Sequence, residues 1–545
     1  MKQLIRRWAG LPALTTAILL VMAAPAAAQM ETTTLRGAGE GDGPHQRLII
    51  RNATMIDGTG APPAGPVDIV IEDNRIVEVR NVGVPHLPID EARRPQGATK
   101  EIDATGMYVM PGFIDNHVHT GGAPKAPQPE YVYKLWLAHG ITTTRGVPHG
   151  AFEWSLEQKA LSARNEIVAP RLFLYQRPGS GEGWTGGPIN TAETAREWVR
   201  WAAAQEFEGQ KIDGLKLGSY DPDIMAALID EATQHELGTT AHLGQMGVVR
   251  MNADDAAKLG LTSMTHYYGL MESLLKDRSL QTYPLDHNNS DEQHRFGQVA
   301  RLWDQTYEPG SDEWKALIQR WVDMGFIINP TMVIYSAGRD VMRAREAEWH
   351  EDYTLPSQWD FYQPSRESHG AYWFDWTTHD EVAWRNFYKR WMAFLNDFKN
   401  AGGRVTVGTD CGFIYQTYGF CYVTELEMLQ EAGFGPMEVL RAATMHSAEE
   451  LYEPKNQAPE LGMIRPGLFA DLVLVEESPV KNLKTLYGTG AVRLNDETTE
   501  VERVGGVKYT IKDGIIYDAQ QLLADVREMV RSQRRARAAA EQGGN

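Results

Sequence analysis

Two histidines one residue apart, His117 and His119, sit in the stretch YVMPGFIDNHVHTGG that runs from residue 108 to 122. Side chains at i and i+2 of a strand project from one face, so the pair can grip a single ion. Taken alone, it is equally well explained as two hydrogen-bonded loop histidines. Further along, Lys216 lies inside the apolar run DGLKLGSY, His242 ends GTTAHLG, His266 ends LTSMTHYYG and Asp410 ends RVTVGTD. Chance puts one histidine at a strand end. Six such groups in equivalent places on five strand candidates point instead to a metal centre. The remaining histidines fall in helix-like, turn or insertion contexts, with His149 the one that directly follows a strand candidate.

Lys216 needs a separate argument, because an ammonium cannot ligate a cation. Desolvated in a barrel mouth beside positive charge, its amine is pushed toward the neutral form. A neutral amine can capture carbon dioxide as an anionic carbamate, whose two oxygens can bridge two divalent ions. The plain alternative is an ion pair with Asp213 or Asp221. Asp410 can ligate an ion and also carry a proton from the attacking water to a leaving nitrogen; otherwise it caps the helix that follows. Tyr267, Tyr268, Arg145 and Arg177 are the candidates for substrate contact, set against packing for the tyrosines and salt bridges for the arginines.

The elements that would position these groups alternate. Apolar strand-like runs such as GITTTRG, TTAHLG, GFIINPTMV and GGRVTVGTD are each followed by a helix-like stretch, from about residue 108 to 450. Strands alternating with helices imply parallel β-α units, and about eight of them favour a closed (β/α)8 TIM barrel, whose active groups gather at the carboxyl ends of its strands. No Gly-x-Gly-x-x-Gly suggests a dinucleotide. Short β-branched runs at both ends of the chain, RLIIRNATMIDGTG and VKYTIKDGIIYD among them, are expected to form one small β domain.

The expected divisions are a signal peptide over 1–28, a flexible leader over 29–46, β parts over 47–110 and 456–517, the barrel over 111–455, and a C-terminal helix and tail over 518–545. An aromatic-rich insertion over about 283–400 interrupts the barrel's rhythm, its tryptophans expected to pack a core of its own rather than form a lid. Leu522, Leu523, Val526, Met529 and Val530 give the last helix one apolar stripe to dock on the barrel or on another subunit.

Composition bounds the partners. The formal net charge is −19, which argues against nucleic acid. The first residues combine a basic start, an apolar run and the small-residue site Ala26-Ala27-Ala28, the pattern of a secretory signal. The expectation is an exported, periplasmic or secreted protein with no membrane contact after cleavage, a small-molecule substrate and a homo-oligomeric state. Cys411 and Cys421 are the only cysteines, so no disulfide framework holds the fold; whether the two pair with each other is open.

Over nearly the whole mature length the chain resembles the amidohydrolase superfamily of metal-dependent hydrolases. The resemblance rests on VMPGFIDNHVH, GITTTRG, GTD and the closing LRAATMHSAEELYEP and LGMIRPGLFADLVLV. DGLKL and AHLGQMG are most similar to its imidazolonepropionase- and prolidase-like branch. The resemblance implies a distorted (β/α)8 barrel with a β-sandwich built from both chain ends. It implies His117 and His119 on one metal, His242 and His266 on a second, Lys216 as the bridging N6-carboxylysine, and Asp410 as ligand and proton shuttle. Two divalent ions, zinc by the histidine-rich set, would then hydrolyse an amide or peptide-like C–N bond of a dipeptide or N-acyl amino acid by attack of metal-bound hydroxide. Alternatives are a one-metal hydrolase of a cyclic amide or ester with Lys216 unmodified, and a catalytically silent barrel used for binding.

Overall fold

The computed structural model describes residues 30–543 apart from 123, 124, 278–280 and 367, so the signal expected over 1–28 lies outside the described residues. The chain opens with strands β1 (Leu48–Met55), β2 (Ala64–Glu72), β3 (Arg75–Asn81), β4 (Lys100–Asp103) and β5 (Tyr108–Pro111). Eight strands follow: β6 (Phe113–Val118), β7 (Ile141–Gly146), β8 (Arg171–Gln176), β9 (Gly214–Leu217), β10 (Gly238–Ala241), β11 (Ser263–Thr265), β12 (Ile327–Asn329) and β13 (Arg404–Val405). The chain then adds β14 (Leu472–Val475), a separate hairpin of β15 (Ala491–Leu494) and β16 (Val501–Val504), and β17 (Val507–Lys512) and β18 (Ile515–Asp518).

Strands β6 to β13 pair in sequence order, each parallel to the next. Helices cover the outside, so most of these strands are buried throughout and lack the alternation of a one-sided sheet. Beyond the short β13, the Asn116 amide donates to the Val407 carbonyl at 2.8 Å and the Asp410 amide to the His117 carbonyl at 2.8 Å. Those bonds tie the last strand's continuation back to the first and close a distorted (β/α)8 barrel, as expected.

The end domain differs in detail from the expected sandwich. It is one sheet of eight strands in the order β18-β17-β14-β5-β1-β2-β3, with β4 beside β1. β5 and β14 join the two chain ends, Tyr108 opposite Val475 and Pro111 opposite Leu472. β1 shifts register against β2 between Ile50 and Ala53, around a left-handed Asn52, and its two halves pair with β4 and β5 in turn. Such bulges bend a strand and increase its twist. The sheet therefore curls until the Ile76 amide reaches the Leu468 carbonyl at 2.9 Å, enclosing Leu48, Ile50, Ile69, Leu472 and Ile511.

The leader is not free: the Glu31 amide donates to Pro127, the Arg36 amide to Glu166, the buried Thr33 hydroxyl to Gln158 at 2.6 Å, and Asp42 bridges Ile516. Polar bonds hold it, which a search for apolar periodicity does not register. The region 283–400 is two excursions, because β12 lies within it, and its last helix, Thr378–Asn400, belongs to the barrel wall. The fully buried Trp384 and Trp391 of that helix pack on Tyr267 beside the sixth barrel strand, so these aromatics share the barrel's core. The C-terminal helix, Ala519–Gly543, buries Leu522, Leu523, Val526 and Val530 and pairs Asp525 with Lys134 of the helix Pro129–Ala138 at 2.8 Å. Among the described residues no helix is long and apolar enough to cross a membrane.

Candidate metal centre

Asp410 is the hub. One of its carboxylate oxygens lies 3.2 Å from Nε2 of His119 and 3.7 Å from Nε2 of His117; the other lies 3.6 Å from Nε2 of His266. The ligand atoms of His117, His266 and Asp410 all fall within 4.8 Å of one another. The Lys216 Nζ stands 3.5 Å from His117 Nε2, and the His242 ring is 4.6 Å from that of His266, centroid to centroid. All six groups expected at strand ends thus converge on one rim.

Local sequence explains the placement. In Gly408-Thr409-Asp410, a Cβ on Gly408 would come within 2.3 Å of the Asn329 side chain and 2.7 Å of His117 Cβ, so only glycine lets the last strand approach the first. Thr409 donates its amide at 3.0 Å and its hydroxyl at 2.6 Å to Asp115. Asp115 also accepts the His117 amide at 3.1 Å, so one buried carboxylate ties both ligand-bearing segments together. Burial pushes that carboxyl up to about 7 despite those bonds. Just past Asp410, Cys411 is disulfide-bonded to Cys421, whose Cα is 6.6 Å away, which resolves the pairing left open by the sequence.

Tautomers follow from the outer hydrogen bonds. His119 Nδ1 faces the Pro148 carbonyl at 2.9 Å, which can only accept, so the proton sits on Nδ1 and Nε2 turns a lone pair toward Asp410. The Thr331 hydroxyl donates to the Pro330 carbonyl at 2.7 Å and therefore accepts from His266 Nδ1 at 2.5 Å, freeing His266 Nε2 in the same way. That Nε2 is buried and has no hydrogen-bond partner. Lone pairs facing carboxylate oxygens at these distances repel unless a cation lies between them, so the residues present fit metal ions. Burial, reinforced by neighbouring positive groups, keeps the imidazoles of His117, His242 and His266 neutral, the last down to about 3 even though Asp410 opposes the shift. His266, Thr331 and Asp410 all adopt left-handed backbone, φ 66°, 49° and 55°, a concentration of strain that the ligand geometry accounts for.

Burial raises the pKa of Asp410, and positive charge at His119, His266 and Lys216 would hold it well below the usual carboxylate range; with those groups neutral, the charge that keeps it ionised must come from bound cations. Lys216 pairs with no carboxylate of the kind weighed from sequence: Asp213 is taken by Lys159 and Lys455, and Asp221 lies by Arg250. Its Nζ donates to Thr265 Oγ1 at 3.1 Å, and burial, with Arg177 and Arg145 adding to it, drives its pKa far down, so the amine is neutral.

A cavity of about 620 Å³ opens over this rim. Of the four substrate candidates it takes two. Arg177, directly after β8, faces it with no carboxylate in ion-pair reach among the described residues, and Tyr268 lines it beside His242. Tyr267 is corrected: neighbours at a strand end point to opposite sides, and its ring packs among Phe387, Trp391 and Trp384. Arg145 is corrected as well. It lies wholly buried below the rim, donating to the Asn116 carbonyl at 2.7 Å and pairing with Glu450 at 2.5 Å. His149 is buried on Tyr133 and on Thr120, one residue along from His119, with both ring nitrogens taken by those hydroxyls. Sequence reasoning missed Asp115, whose spacing of two before His117 put it on the ligand face, and it missed Thr331, Arg250, Arg295 and Glu292, for which no local signal exists.

Thr331→Val is expected to weaken metal affinity about 10- to 100-fold by removing the acceptor that fixes the His266 tautomer. Competition with a chromophoric chelator measures it; an unchanged affinity would discard the tautomer argument.

No protein-family model matches the chain. It is 35% identical over 102 residues, 19% of its length, to an adenine deaminase of Halalkalibacterium halodurans, and 27% identical over 238 residues, 41% of its length, to an enamidase of Eubacterium barkeri. These segments span 15% and 57% of the two relatives. Among solved structures, a Xaa-Pro dipeptidase with methionine bound in its active site superposes with a TM-score of 0.55 at 17% identity, covering 87% of this chain and all of the other (100%).

Proposed function

We propose that the chain is a member of the amidohydrolase superfamily, an exported, binuclear metal-dependent hydrolase that cleaves an amide or peptide-like C–N bond in a dipeptide or N-acyl amino acid. The observation that carries this reading is the gathering of His117, His119, Lys216, His242 and His266 around Asp410, with the Nε2 lone pairs of His119 and His266 turned inward. Export rests on the basic, apolar and small-residue pattern of the first 28 residues.

His117 and His119 would hold one ion and His242 and His266 the other. The neutral Lys216 amine would add carbon dioxide and release a proton, becoming an anionic carbamate with two oxygens to offer as ligands. When bound, the ions, zinc by the donor set, acidify water and polarise the substrate carbonyl. Asp410 takes the proton of the attacking water on a carboxylate oxygen and returns it to the leaving nitrogen as the C–N bond breaks. Arg177 receives a substrate carboxylate in a charge-assisted pair, and its fork geometry fixes the direction of binding. Tyr268 and the aromatic walls exclude water from the scissile bond.

The compact set of His117, His266 and Asp410 favours a second reading, in which one ion suffices and Lys216 stays unmodified. Metal analysis separates the two. The proposal expects about two ions per chain after loading, an added carbamate mass on Lys216, and chelator-sensitive turnover on a panel of N-acyl amino acids, dipeptides, lactams and adenine. One ion and an unmodified lysine would select the second reading, and chelator-insensitive turnover would end both.

A further inference from the structure

The cavity above the metal rim is not closed on its outer side. A second cleft of about 480 Å³ adjoins it, and the two share Glu292, Arg295 and His369. Their linings differ in chemistry. The inner cavity, beyond its metal-facing floor and arginines, combines rings such as Phe296, Tyr335 and Tyr372 with the aliphatic Leu243, Met246 and Ile334 and a short polar stretch at Ser219 and Gln245. The outer cleft is walled by hydrogen-bonding side chains, Asn288, Ser290, Gln293 and Ser368 among them, with acidic and basic groups of both signs and, besides the His369 imidazole, the ring of Phe374.

Two separate excursions of the chain build this outer cleft, one between β11 and β12 and one between β12 and the helix Thr378–Asn400. They are fastened together, since the Trp376 Nε1 donates to the Gln293 carbonyl at 2.9 Å. On the first excursion, Asp291 caps the helix Glu292–Val299 by accepting the His294 amide, and Arg295 donates to the Asn289 carbonyl at 2.9 Å. Glu292 stands at the neck between the spaces, 3.1 Å from Arg295 and 3.9 Å from the exposed His369. A neck framed by a carboxylate, a guanidinium and an imidazole offers donors and acceptors along a threaded backbone and excludes none by net charge.

We propose that this outer cleft is a second substrate subsite, which binds the part of a peptide chain beyond the scissile bond, so that the preferred substrate is a peptide longer than two residues. The inference rests on the reading of the inner cavity as the hydrolytic site and extends it. An apolar side chain occupies the aromatic inner space; the amide groups of the following residues pair with the neutral polar side chains outside. Asn288 and Gln293 spend their side-chain oxygens on the Ser290 and Asp375 amides, which leaves their amide nitrogens and the Ser290 and Ser368 hydroxyls to a ligand that passes the neck.

The test uses the metal-loaded, full-length mature protein and two peptide series that share one scissile bond, lengthened by one, two and three residues toward the N-terminus in one series and the C-terminus in the other. The expected result is a rise of about 10-fold or more in kcat/KM along one series, carried by a falling KM, as one to two added hydrogen bonds would give. Ser290→Trp and Ser368→Trp each fill the cleft, and each is expected to bring the ratio of long to short substrate back toward one. A ratio near one in the unaltered protein, or one unmoved by both substitutions, overturns the subsite. Should no peptide be turned over, the amide-hydrolase reading fails separately, and calorimetric binding of the same two series still decides the cleft: affinity must grow with length and lose that growth in the two variants.

Discussion

Asp410→Asn is expected to lower kcat by about 10³-fold while leaving the protein folded, the size of effect typical of a positioned general acid-base group. The substitution is nearly isosteric, and the Asp410 amide bond to the His117 carbonyl, the Thr409 bonds to Asp115 and the Cys411–Cys421 disulfide are all untouched. What changes is the carboxylate itself. An amide oxygen is a poor base and a weaker ligand, and the amide nitrogen would face Nε2 of His119 or His266. Metal content must be measured alongside kcat, because loss of one ion and loss of the shuttle both lower the rate. The shuttle role predicts that kcat stays about 10³-fold down in samples reloaded to full metal. A variant that regains more than a tenth of the original rate on reloading would leave Asp410 a ligand only.

The parts of the centre legible in the sequence are those in which chemistry forces a short spacing. His117 and His119 must share a strand face, and Gly408-Thr409-Asp410 must combine close approach, a tether and a ligand within three residues. Barrel topology then supplies the rest, because parallel strands bring all their carboxyl ends to one rim. Thr331 lies 65 residues beyond the histidine it orients, and no periodicity links them. The cavity walls come from excursions whose packing depends on the finished barrel, so Glu292 and Arg295 were equally out of reach. Tyr267 and Arg145 mark a different limit. Residue type and proximity to a strand end identified both, but which side of the strand each faces depends on register, and register inverts a side chain with every residue. The curled end sheet likewise turns on a bulge at Asn52 that β-branched runs do not announce.

Arg145 makes that distinction measurable, because a buried structural arginine and a substrate-binding arginine fail differently. The guanidinium and the Glu450 carboxylate are both fully buried, and Glu450 also accepts from Asn116 Nδ2 and Thr406 Oγ1, each at 2.7 Å. The network joins β6, β7, the stretch after β13 and the helix Ser447–Tyr452, directly beneath the ligand rim. Removing one member leaves the other charge uncompensated in a low-dielectric interior, at a cost of about 3–5 kcal/mol. Arg145→Met is therefore expected to lower the thermal midpoint, at fixed scan rate and metal content, by about 5 °C or more. Arg145→Met combined with Glu450→Gln removes both charges, keeps an acceptor at position 450 for Asn116 Nδ2 and Thr406 Oγ1, and should recover at least half of that loss. Enzyme that survives folding in the double variant is expected to keep its KM, since neither group reaches the cavity. A single variant as stable as the parent, with KM raised instead, would move Arg145 back to the substrate and refute the placement of the pair beneath the centre.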